Sequence, residues 1–306
     1  MQKLAVVIVA WRVRDLLDRC LRSLSADLAR TEALTQVWVV DNASGDGTAE
    51  MVRARHPWVN LLEPGRNLGF VGGNNLVLRR LLESGTLPDA VWLLNPDTEV
   101  RPGATAALLE ALRRHPRAGL LTPKLLNPDG SLQPSAFRFP GLLQPLFDLG
   151  YLPRFLYESR WNGRYPRSLY RRREPQLIDH PLGAAMMARG EALRKVGPLD
   201  DGFFMYCEEI DWAWRMRRAG WRSYLVPQAE VVHYGGASSD QVRPLTTLRL
   251  WESRARCYRK HRGPLTRALV EWAVRRRFRA WLAGTGDPEW QAVYRRILRA
   301  WGEAGR

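Results

Sequence analysis

Short apolar runs alternate with amphipathic segments over residues 4–116, and this alternation restricts the fold more than any other feature of the sequence. The runs are rich in β-branched side chains, which is typical of strands buried on both faces. They lie at 4–11, in a strand and turn at 36–48, at 59–64 and at 90–97. Strands that alternate with helices indicate βαβ units, so the sequence predicts an α/β fold with a mostly parallel central sheet flanked by helices.

The segments between these runs have helical spacing. Residues 13–28 place leucines and Cys20 on one side of a helix. A second helix is expected to end at Pro57, a third to follow the glycine-rich turn in 69–85, and a fourth to cover 103–116.

The rhythm changes after about residue 120. Residues 134–180 are rich in proline, aromatics and arginine and show little periodicity, which is typical of a functional or mobile segment. A strand and a short helix are predicted from 181, a helix over 208–221 and a strand over 222–236. The tail from about 245 is helical, aromatic and strongly basic.

The net charge of +16 comes almost entirely from arginine, since only four of the 47 basic residues are lysines. The planar guanidinium matches phosphate oxygens, so this excess indicates a phosphate-bearing or anionic partner. A nucleotide, nucleic acid and an anionic membrane surface all satisfy that requirement.

The three cysteines are isolated, which argues against a disulfide framework and a zinc site and suits a reducing compartment. No signal peptide is recognisable, and no apolar stretch approaches the roughly 20 residues of a membrane span. We therefore expect a cytoplasmic protein, with peripheral contact at the inner face of the membrane left open.

Polar side chains follow three of the predicted strands, at Trp11–Arg12, Asp41–Asn42 and Asn95–Asp97. In open parallel sheets, ligands bind beyond the carboxyl ends of the strands. A turn aspartate that bonds its own backbone is the alternative for Asp41. The phosphate loop GxxxxGK[ST] and the dinucleotide fingerprint GxGxxG are absent from the sequence.

Asp97 suits a hard cation that bridges a substrate diphosphate, because Mg²⁺ takes one or two protein carboxylates together with phosphate oxygens. The alternative is that Asp97 ends the strand or caps the helix over 103–116. His233 stands at a strand end before two glycines and is a candidate second ligand, although a lone histidine is more often structural.

Glu208, Glu209 and Asp211 place three acids within four positions. Clustered carboxylates raise each other's pKa, which suits a general base. The alternative is a helix N-terminus made acidic to suit the helix dipole.

Taken in order, the motifs resemble the family 2 glycosyltransferases of the GT-A (Rossmann-like) fold, and within them a bacterial rhamnosyltransferase-like branch. The resemblance covers roughly residues 4–262 and rests on the stretches VVIVAW, VVDNASGDGT, RNLGFVGGNN, LLNPDTEV, GPLDDGFFMYCEEIDWAWRMRRAGW and VVHYGGAS. It implies a nucleotide-sugar-binding half over 1–120 and an acceptor-binding and catalytic half over 121–240. A helical basic extension follows over 241–306.

The resemblance implies inverting transfer of a sugar from a nucleoside diphosphate sugar, such as dTDP-rhamnose or a UDP-sugar. The acceptor would be a hydroxyl of a saccharide or lipid-linked acceptor in cell-surface polysaccharide or glycolipid synthesis. Asp41 would contact the nucleobase. The other donor-binding residues would be Asn42, Arg66, Asn67, Gly69, Asn74 and Asn95.

The same resemblance makes Asp97 the counterpart of the DxD aspartate, which binds Mg²⁺ or Mn²⁺, with His233 completing the metal–diphosphate site. Asn95 stands where many relatives have the first acid of that motif. Glu209 takes the position of the catalytic base, where aspartate is usual, and Glu208 and Asp211 are candidates if the register differs.

Two other functions compete with the transferase. A nucleotidyltransferase would need a basic glycine-rich signature near the first strand, which this sequence lacks. A basic nucleotide- or anionic-membrane-binding protein without transferase activity is suggested by the arginines and the 13 tryptophans. Because these concentrate in 151–173 and 243–282, we expect them to meet a lipid-linked acceptor or membrane surface rather than nucleic acid. A solvated basic face is the simpler interpretation of both stretches.

Overall fold

The computed structural model describes residues 2–236 and 242–302. The strands of this part of the chain are β1 (Gln2–Ala10), β2 (Ala33–Asp41), β3 (Asn60–Leu62), β4 (Ala90–Leu94), β5 (Thr98–Val100), β6 (Ala118–Leu126), β7 (Leu132–Gln133), β8 (Ala136–Phe137), β9 (Gln176–Ile178), β10 (His180–Pro181), β11 (Ala185–Arg189) and β12 (Arg222–His233). Its helices are α1 (Arg14–Leu28), α2 (Thr48–Arg55), α3 (Gly69–Glu83), α4 (Ala104–Arg114), α5 (Leu143–Asp148), α6 (Gly190–Val196), α7 (Glu208–Arg218), α8 (Arg243–His261), α9 (Pro264–Gly284) and α10 (Pro288–Gly302).

The main sheet has the strand order β3-β2-β1-β4-β11-β6-β12-β5. Strands β1 to β4 pair in parallel, and β6 pairs in parallel with β12. Strand β11 lies antiparallel between β4 and β6, so the last two long strands continue the direction of the first four. The α/β fold with a mostly parallel central sheet, predicted from the sequence, is confirmed.

The sheet is buried on both faces, as the β-branched runs indicated. Val6 and Ile8 of β1 lie in one core with residues of α1, α2 and α4. Val7 and Val9 lie in the other core with residues of α3, α6 and α7. Because successive side chains of a strand point to opposite faces, a strand between two cores must be apolar at every position.

The long segment of low periodicity forms short elements rather than one regular unit. Helix α5 is followed by three 3₁₀ turns at Arg154–Leu156, Arg160–Asn162 and Arg167–Arg171. The last part of the described chain is helical, as predicted: α8, α9 and α10 pack around their own apolar core together with Leu149. Along the described residues, every helix is too short or too polar to cross a bilayer.

The N-terminus of α4 is capped by a side chain from another helix. Both carboxylate oxygens of the buried Asp27 in α1 accept backbone N–H groups, from Gly103 at 2.5 Å and Thr105 at 2.9 Å. These amides have no intrahelical partner, so the carboxylate satisfies them and complements the helix dipole. The alternative in which Asp97 caps this helix is therefore wrong, and the carboxylate of Asp97 is not used there.

We expect Asp27→Ala to lower the free energy of unfolding by about 2 to 3 kcal/mol, because it leaves buried amides without an acceptor. Urea denaturation followed by circular dichroism measures this loss. Asp15→Ala is the matched control, since Asp15 lies in the same helix and is exposed. Equal stabilities for the two variants would contradict the capping role.

Candidate active site

A cavity of about 370 Å³ opens at the carboxyl ends of β1 and β4. Trp11 follows β1 in its wall, and Asn95 follows β4. The later part of the chain contributes residues from the start of α7 and from α8 to the same wall. The predicted meeting of polar strand ends thus occurs around one cavity. The sequence-predicted residues that line it are Asn42, Asn67, Gly69, Asn95, Asp97, Glu208, Glu209 and His233.

Four of the sequence-predicted site residues do not line this cavity: Asp41, Arg66, Asn74 and Asp211. The buried Asp41 accepts a hydrogen bond from the backbone N–H of Ser44 at 3.1 Å, which is the turn arrangement considered as its alternative role. Arg66 is exposed next to Asn67, and the side chain of Asn74 donates to the carbonyl of Phe70 at 2.8 Å.

The loop before α3 lies between Asn42, which follows β2, and Phe204, which precedes α7. The amide of Asn42 donates to the Gly69 carbonyl at 2.9 Å, and the Asn67 side chain accepts from the Gly69 N–H at 2.8 Å. Gly69 has a φ of +73°, and a Cβ there would lie 2.5 Å from the carbonyl oxygen of Phe204. Only glycine combines this conformation with so close an approach, so it joins the loop to the segment that precedes α7.

Asp97 and His233 are brought together by strand pairing. Strand β5 pairs antiparallel with the end of β12, with His233 opposite Thr98, the residue after Asp97. The His233 Nε2 lies 3.4 Å from the Asp97 Oδ1, and the backbone N–H of Tyr234 donates to the Asp97 carbonyl at 2.9 Å. The three-residue strand β5 was not predicted from the sequence, because a run this short has no readable period.

Gln133 orients the His233 ring from behind. Its Oε1 lies 2.8 Å from the His233 Nδ1, while its amide nitrogen donates to Asn127 Oδ1 at 3.0 Å and to the His233 carbonyl at 3.3 Å. Because the amide oxygen can only accept, the Nδ1–H group donates a hydrogen bond to it, and in the neutral ring the lone pair of Nε2 is then directed toward Asp97. Sequence reasoning missed Gln133, because only the pairing of β7 with β6 brings it beside the histidine.

This arrangement fits a divalent cation. A carboxylate oxygen and an imidazole lone pair face each other, and a cation between them would satisfy both acceptors. The hydrogen bond from His233 to Gln133 is the outer support that metal-bound histidines usually have. Residues 2–236 and 242–302 hold no cluster of three or more histidine, cysteine or acidic ligands, so a cation at Asp97 would need further ligands from water or a bound molecule.

Glu208 and Glu209 begin α7 after a strained turn. Tyr206 and Cys207 both have positive φ, 68° and 64°, a conformation that non-glycine residues rarely adopt and that occurs at functional sites. The turn directs both glutamates to the cavity. The Oε2 atom of each is buried and has no hydrogen-bond partner within the described part of the chain.

Burial raises the pKa of both carboxyls. For Glu208, desolvation and then the negative charge of Glu209 hold the pKa well above its usual range. For Glu209, desolvation raises the pKa to about 7. Glu209 can therefore gain or lose a proton near neutral pH, which is the property required of a general base.

Asp211 has a different environment from the two glutamates. Burial would raise the pKa of its carboxyl, but hydrogen bonds from His261, Lys260 and Arg215 at 2.7, 2.6 and 2.7 Å together lower it well below its usual range. Asp211 could reach a substrate only by breaking these bonds. Its carboxylate instead ties α7 to the end of α8, so the three acids do not act as one cluster.

Arg249 lines the cavity from α8 and was not singled out from the sequence. Its guanidinium lies 4.5 Å from the centre of the Phe204 ring and 3.5 Å from the Glu252 carboxylate. The tail of the chain contains so many arginines that spacing alone could not distinguish this one.

Comparison with known proteins identifies a family model. Residues 2–263 match the family described as "Glycosyltransferase like family 2". The chain is 36% identical over 246 residues, 77% of each chain, to the N-acetylglucosaminyl-diphospho-decaprenol L-rhamnosyltransferase of Mycobacterium tuberculosis (strain ATCC 25618 / H37Rv). It is 26% identical over 197 residues to the low-salt glycan biosynthesis hexosyltransferase Agl10 of Haloferax volcanii, covering 62% of this chain and 56% of that protein.

Solved structures show the same fold at low sequence identity. The mannosyltransferase PcManGT of Pyrobaculum calidifontis, in complex with GDP-Man and Mn²⁺, matches with a TM-score of 0.55 at 15% identity, over 98% of this chain and 86% of that one. GalNAc-T7 with UDP, GalNAc and Mn²⁺ matches with a TM-score of 0.57 at 17% identity, over 76% of this chain and 43% of that one. The GT-A fold predicted from the sequence is confirmed by these likenesses.

We expect Glu209→Gln to raise the stability of the protein at pH 8 and to have little effect at pH 5. Because the pKa of Glu209 is higher in the folded state, wild-type stability should fall as pH rises from 4.5 to about 7. The variant should therefore be more stable at pH 8, by roughly 2 to 3 kcal/mol.

Urea denaturation at the two pH values measures the difference. Glu50→Gln, at an exposed position of α2, is the matched control and should change stability equally little at both. A Glu209→Gln effect that does not depend on pH would contradict the raised pKa.

Proposed function

The chain belongs to the glycosyltransferase like family 2, and on that premise we propose that it moves a sugar, with inversion, from a nucleoside diphosphate sugar to a hydroxyl of a lipid-linked acceptor. Glycosyltransferase activity in glycan synthesis is supported by the family and by the rhamnosyltransferase relative. The proposed metal dependence and stereochemistry rest on the cavity, and the proposed donor rests on the name of the relative.

The observation that supports this function most strongly is the composition of that cavity. One group is the Asp97–His233 pair, and the other is the Glu208–Glu209 pair at the start of α7. Inverting transfer requires a base on one side of the sugar and a stabilised leaving group on the other. We propose that the transferred sugar lies between the two pairs, which come from different parts of the chain.

The donor in this proposal is dTDP-rhamnose, with UDP-sugars as the alternative. Residues 1–120 are the proposed binding half, where Asn42, Asn67 and Gly69 of the cavity wall would meet the nucleoside. Asn95 lies beside the diphosphate and offers an amide where many relatives have a carboxylate. The rhamnosyl specificity in the relative's name supports a deoxyhexose donor.

The acceptor in this proposal is a saccharide on a polyprenyl diphosphate, bound by residues 121–240. The M. tuberculosis relative is named for N-acetylglucosaminyl-diphospho-decaprenol, an acceptor of this class. Arg249 places a guanidinium in the cavity wall, and guanidinium groups suit phosphate oxygens. We propose a cytoplasmic location with peripheral contact at the inner face of the membrane, where such an acceptor is accessible.

Asp97 and His233 would hold Mg²⁺ or Mn²⁺ together with the donor diphosphate. When bound, the cation would neutralise the charge that develops on the leaving diphosphate. The protein's own part is to keep the His233 ring in one orientation through Gln133 and to present a single buried carboxylate. With Asn95 in place of a second acid, phosphate oxygens and water would have to supply the remaining ligands.

Glu209 is the proposed base that removes the proton from the acceptor hydroxyl as it attacks the anomeric carbon. Its pKa of about 7 keeps a substantial ionised fraction at neutral pH and makes the carboxylate a better proton acceptor than an exposed glutamate. The buried Glu208 lines the same cavity and is the second candidate.

We expect Asp97→Ala to remove the Mn²⁺-dependent part of nucleotide affinity, a loss of at least about tenfold, because the cation would lose its carboxylate ligand. Calorimetric titration with dTDP and UDP, each with and without Mn²⁺, measures this. Asp15→Ala is the control and should bind as the wild type does. Undiminished Mn²⁺-dependent binding by Asp97→Ala would place the metal elsewhere.

We expect Glu209→Gln to keep its donor affinity within about twofold and to lose about 10²- to 10⁴-fold in kcat, since only proton removal is impaired. The assay follows sugar transfer from dTDP-rhamnose and UDP-sugars to a short-chain polyprenyl-diphosphate N-acetylglucosamine. In the wild type, kcat/KM should fall as pH drops through about 7, because this ratio follows the ionisation of the free protein.

The same assay distinguishes the candidates for the base. If Glu208→Gln loses kcat while Glu209→Gln keeps it, Glu208 is the base. The absence of product from the wild type with every donor would favour a nucleotide- or membrane-binding protein without transferase activity.

A further inference from the structure

Helix α9 has one side in the C-terminal core and the other side in solvent. Val270, Ala273, Val274 and Phe278 are buried with residues of α8 and α10. The opposite side, called here the outer face of α9, follows helical spacing. It consists of Leu265, Ala268, Leu269, Trp272, Arg276 and Arg279, all of them exposed.

The first half of the outer face is apolar. Leu265 is 73% exposed, Leu269 is 44% exposed and Trp272 is 62% exposed. Residues at i, i+4 and i+7 are neighbours on a helix surface, so these three side chains form one patch. Contiguous exposed apolar patches usually mark an interaction surface.

The second half of the outer face is basic. Arg276 and Arg279 follow Trp272 on the same side, and the Arg276 guanidinium lies 5.8 Å from the Trp272 ring. The single acid of α9, Glu271, lies off this face and pairs with Arg275 at 3.5 Å. The outer face of α9, which lies wholly in the described range, therefore has positive charges and no acid.

More exposed aromatic side chains occur in the segment next to α9. Tyr151 donates to the carbonyl of Ala273 at 3.2 Å, and its ring lies 4.3 Å from the Arg277 guanidinium. A few residues later, Phe155 is 83% exposed and Trp161 is 52% exposed. The stretch 151–173 thus contacts α9 through its first residue, Tyr151.

We propose that the outer face of α9 docks on an anionic lipid bilayer. In this arrangement Leu265, Leu269 and Trp272 enter the interfacial region, and Arg276 and Arg279 lie among the lipid phosphates. Tryptophan and leucine beside arginine are the composition of helices that lie in a membrane surface. A second copy of the chain is a poorer occupant, because it would bring the same positive charges together.

Docking at α9 would place the cavity where the proposed function needs it. This link to sugar transfer rests on the proposed function, whereas the docking surface itself does not. The first half of α8 lines the cavity through Leu245 and Arg249, and its second half shares the core of α9 through Trp251 and Tyr258. A membrane bound at α9 would therefore hold the cavity near the surface from which a polyprenyl-linked acceptor extends.

The test is co-sedimentation of the full chain with vesicles. We expect binding to phosphatidylcholine vesicles that contain roughly 30% phosphatidylglycerol at about 50 mM salt, and little binding to pure phosphatidylcholine. Leu265→Ser/Trp272→Ser and Arg276→Glu/Arg279→Glu should each weaken binding by about tenfold or more. Circular dichroism confirms that both variants are folded.

Matched controls remove the same residue types elsewhere. Leu34→Ser/Trp58→Ser changes an exposed leucine and tryptophan, and Arg30→Glu/Arg117→Glu reverses two exposed arginines. Both should bind vesicles as the wild type does. The proposal is overturned if the wild type does not bind, if the α9 variants bind normally, or if they instead convert a dimer to a monomer.

Measuring sugar transfer to a short, water-soluble acceptor tests the proposed transferase activity independently of membrane docking. The α9 variants should retain that activity while losing transfer to acceptor embedded in vesicles. If the wild type binds vesicles but transfers no sugar, the docking surface stands and the transferase assignment fails.

Discussion

Burial of the central sheet on both faces is the constraint on which the rest of this protein depends. The central strand β4 and residues 4–10 of β1 are apolar throughout, because successive side chains such as Val6 and Val7 lie in different cores. In these strands polar groups can occur only at the ends. The helices that cover the two faces leave the carboxyl edge open, and the cavity forms there, where Trp11, Asn42 and Asn95 emerge from their strands.

Polar groups at this edge are arranged for chemistry at some cost in stability. Glu208 and Glu209 each have a buried oxygen without a partner in the described chain, and they follow two residues with positive φ. Both features destabilise the folded state. Two other buried acids are well satisfied: Asp27 accepts the amides of α4, and Asp211 accepts hydrogen bonds from Arg215, Lys260 and His261. The contrast distinguishes carboxylates that hold the fold from those available to a substrate.

The hydrogen bonds of Asp211 also connect the site to the C-terminal helices. Through Lys260 and His261 they fix the end of α8 against α7, whose first residues are the two glutamates. The other end of α8 lines the cavity, and its middle packs against α9. A surface that binds at α9 is therefore joined to the cavity by one continuous helix, which makes its orientation relevant to the acceptor.

The sequence by itself determined the fold class, the positions of the main strands and helices, and the acidic and amide residues that end up at the cavity. It could do so because periodicity and strand-end polarity are local properties of the chain. Tertiary structure alone decided that Gln133 supports His233, that Arg249 enters the cavity and that Asp211 leaves it. It also decided that Asp27, rather than Asp97, caps α4. The contacts Asp211–His261, Asp27–Gly103 and Gln133–His233 join residues 50, 76 and 100 positions apart. The pairing that brings His233 beside Asp97 and Gln133 depends on strands of two or three residues. Neither kind of contact leaves a periodic signal in the sequence.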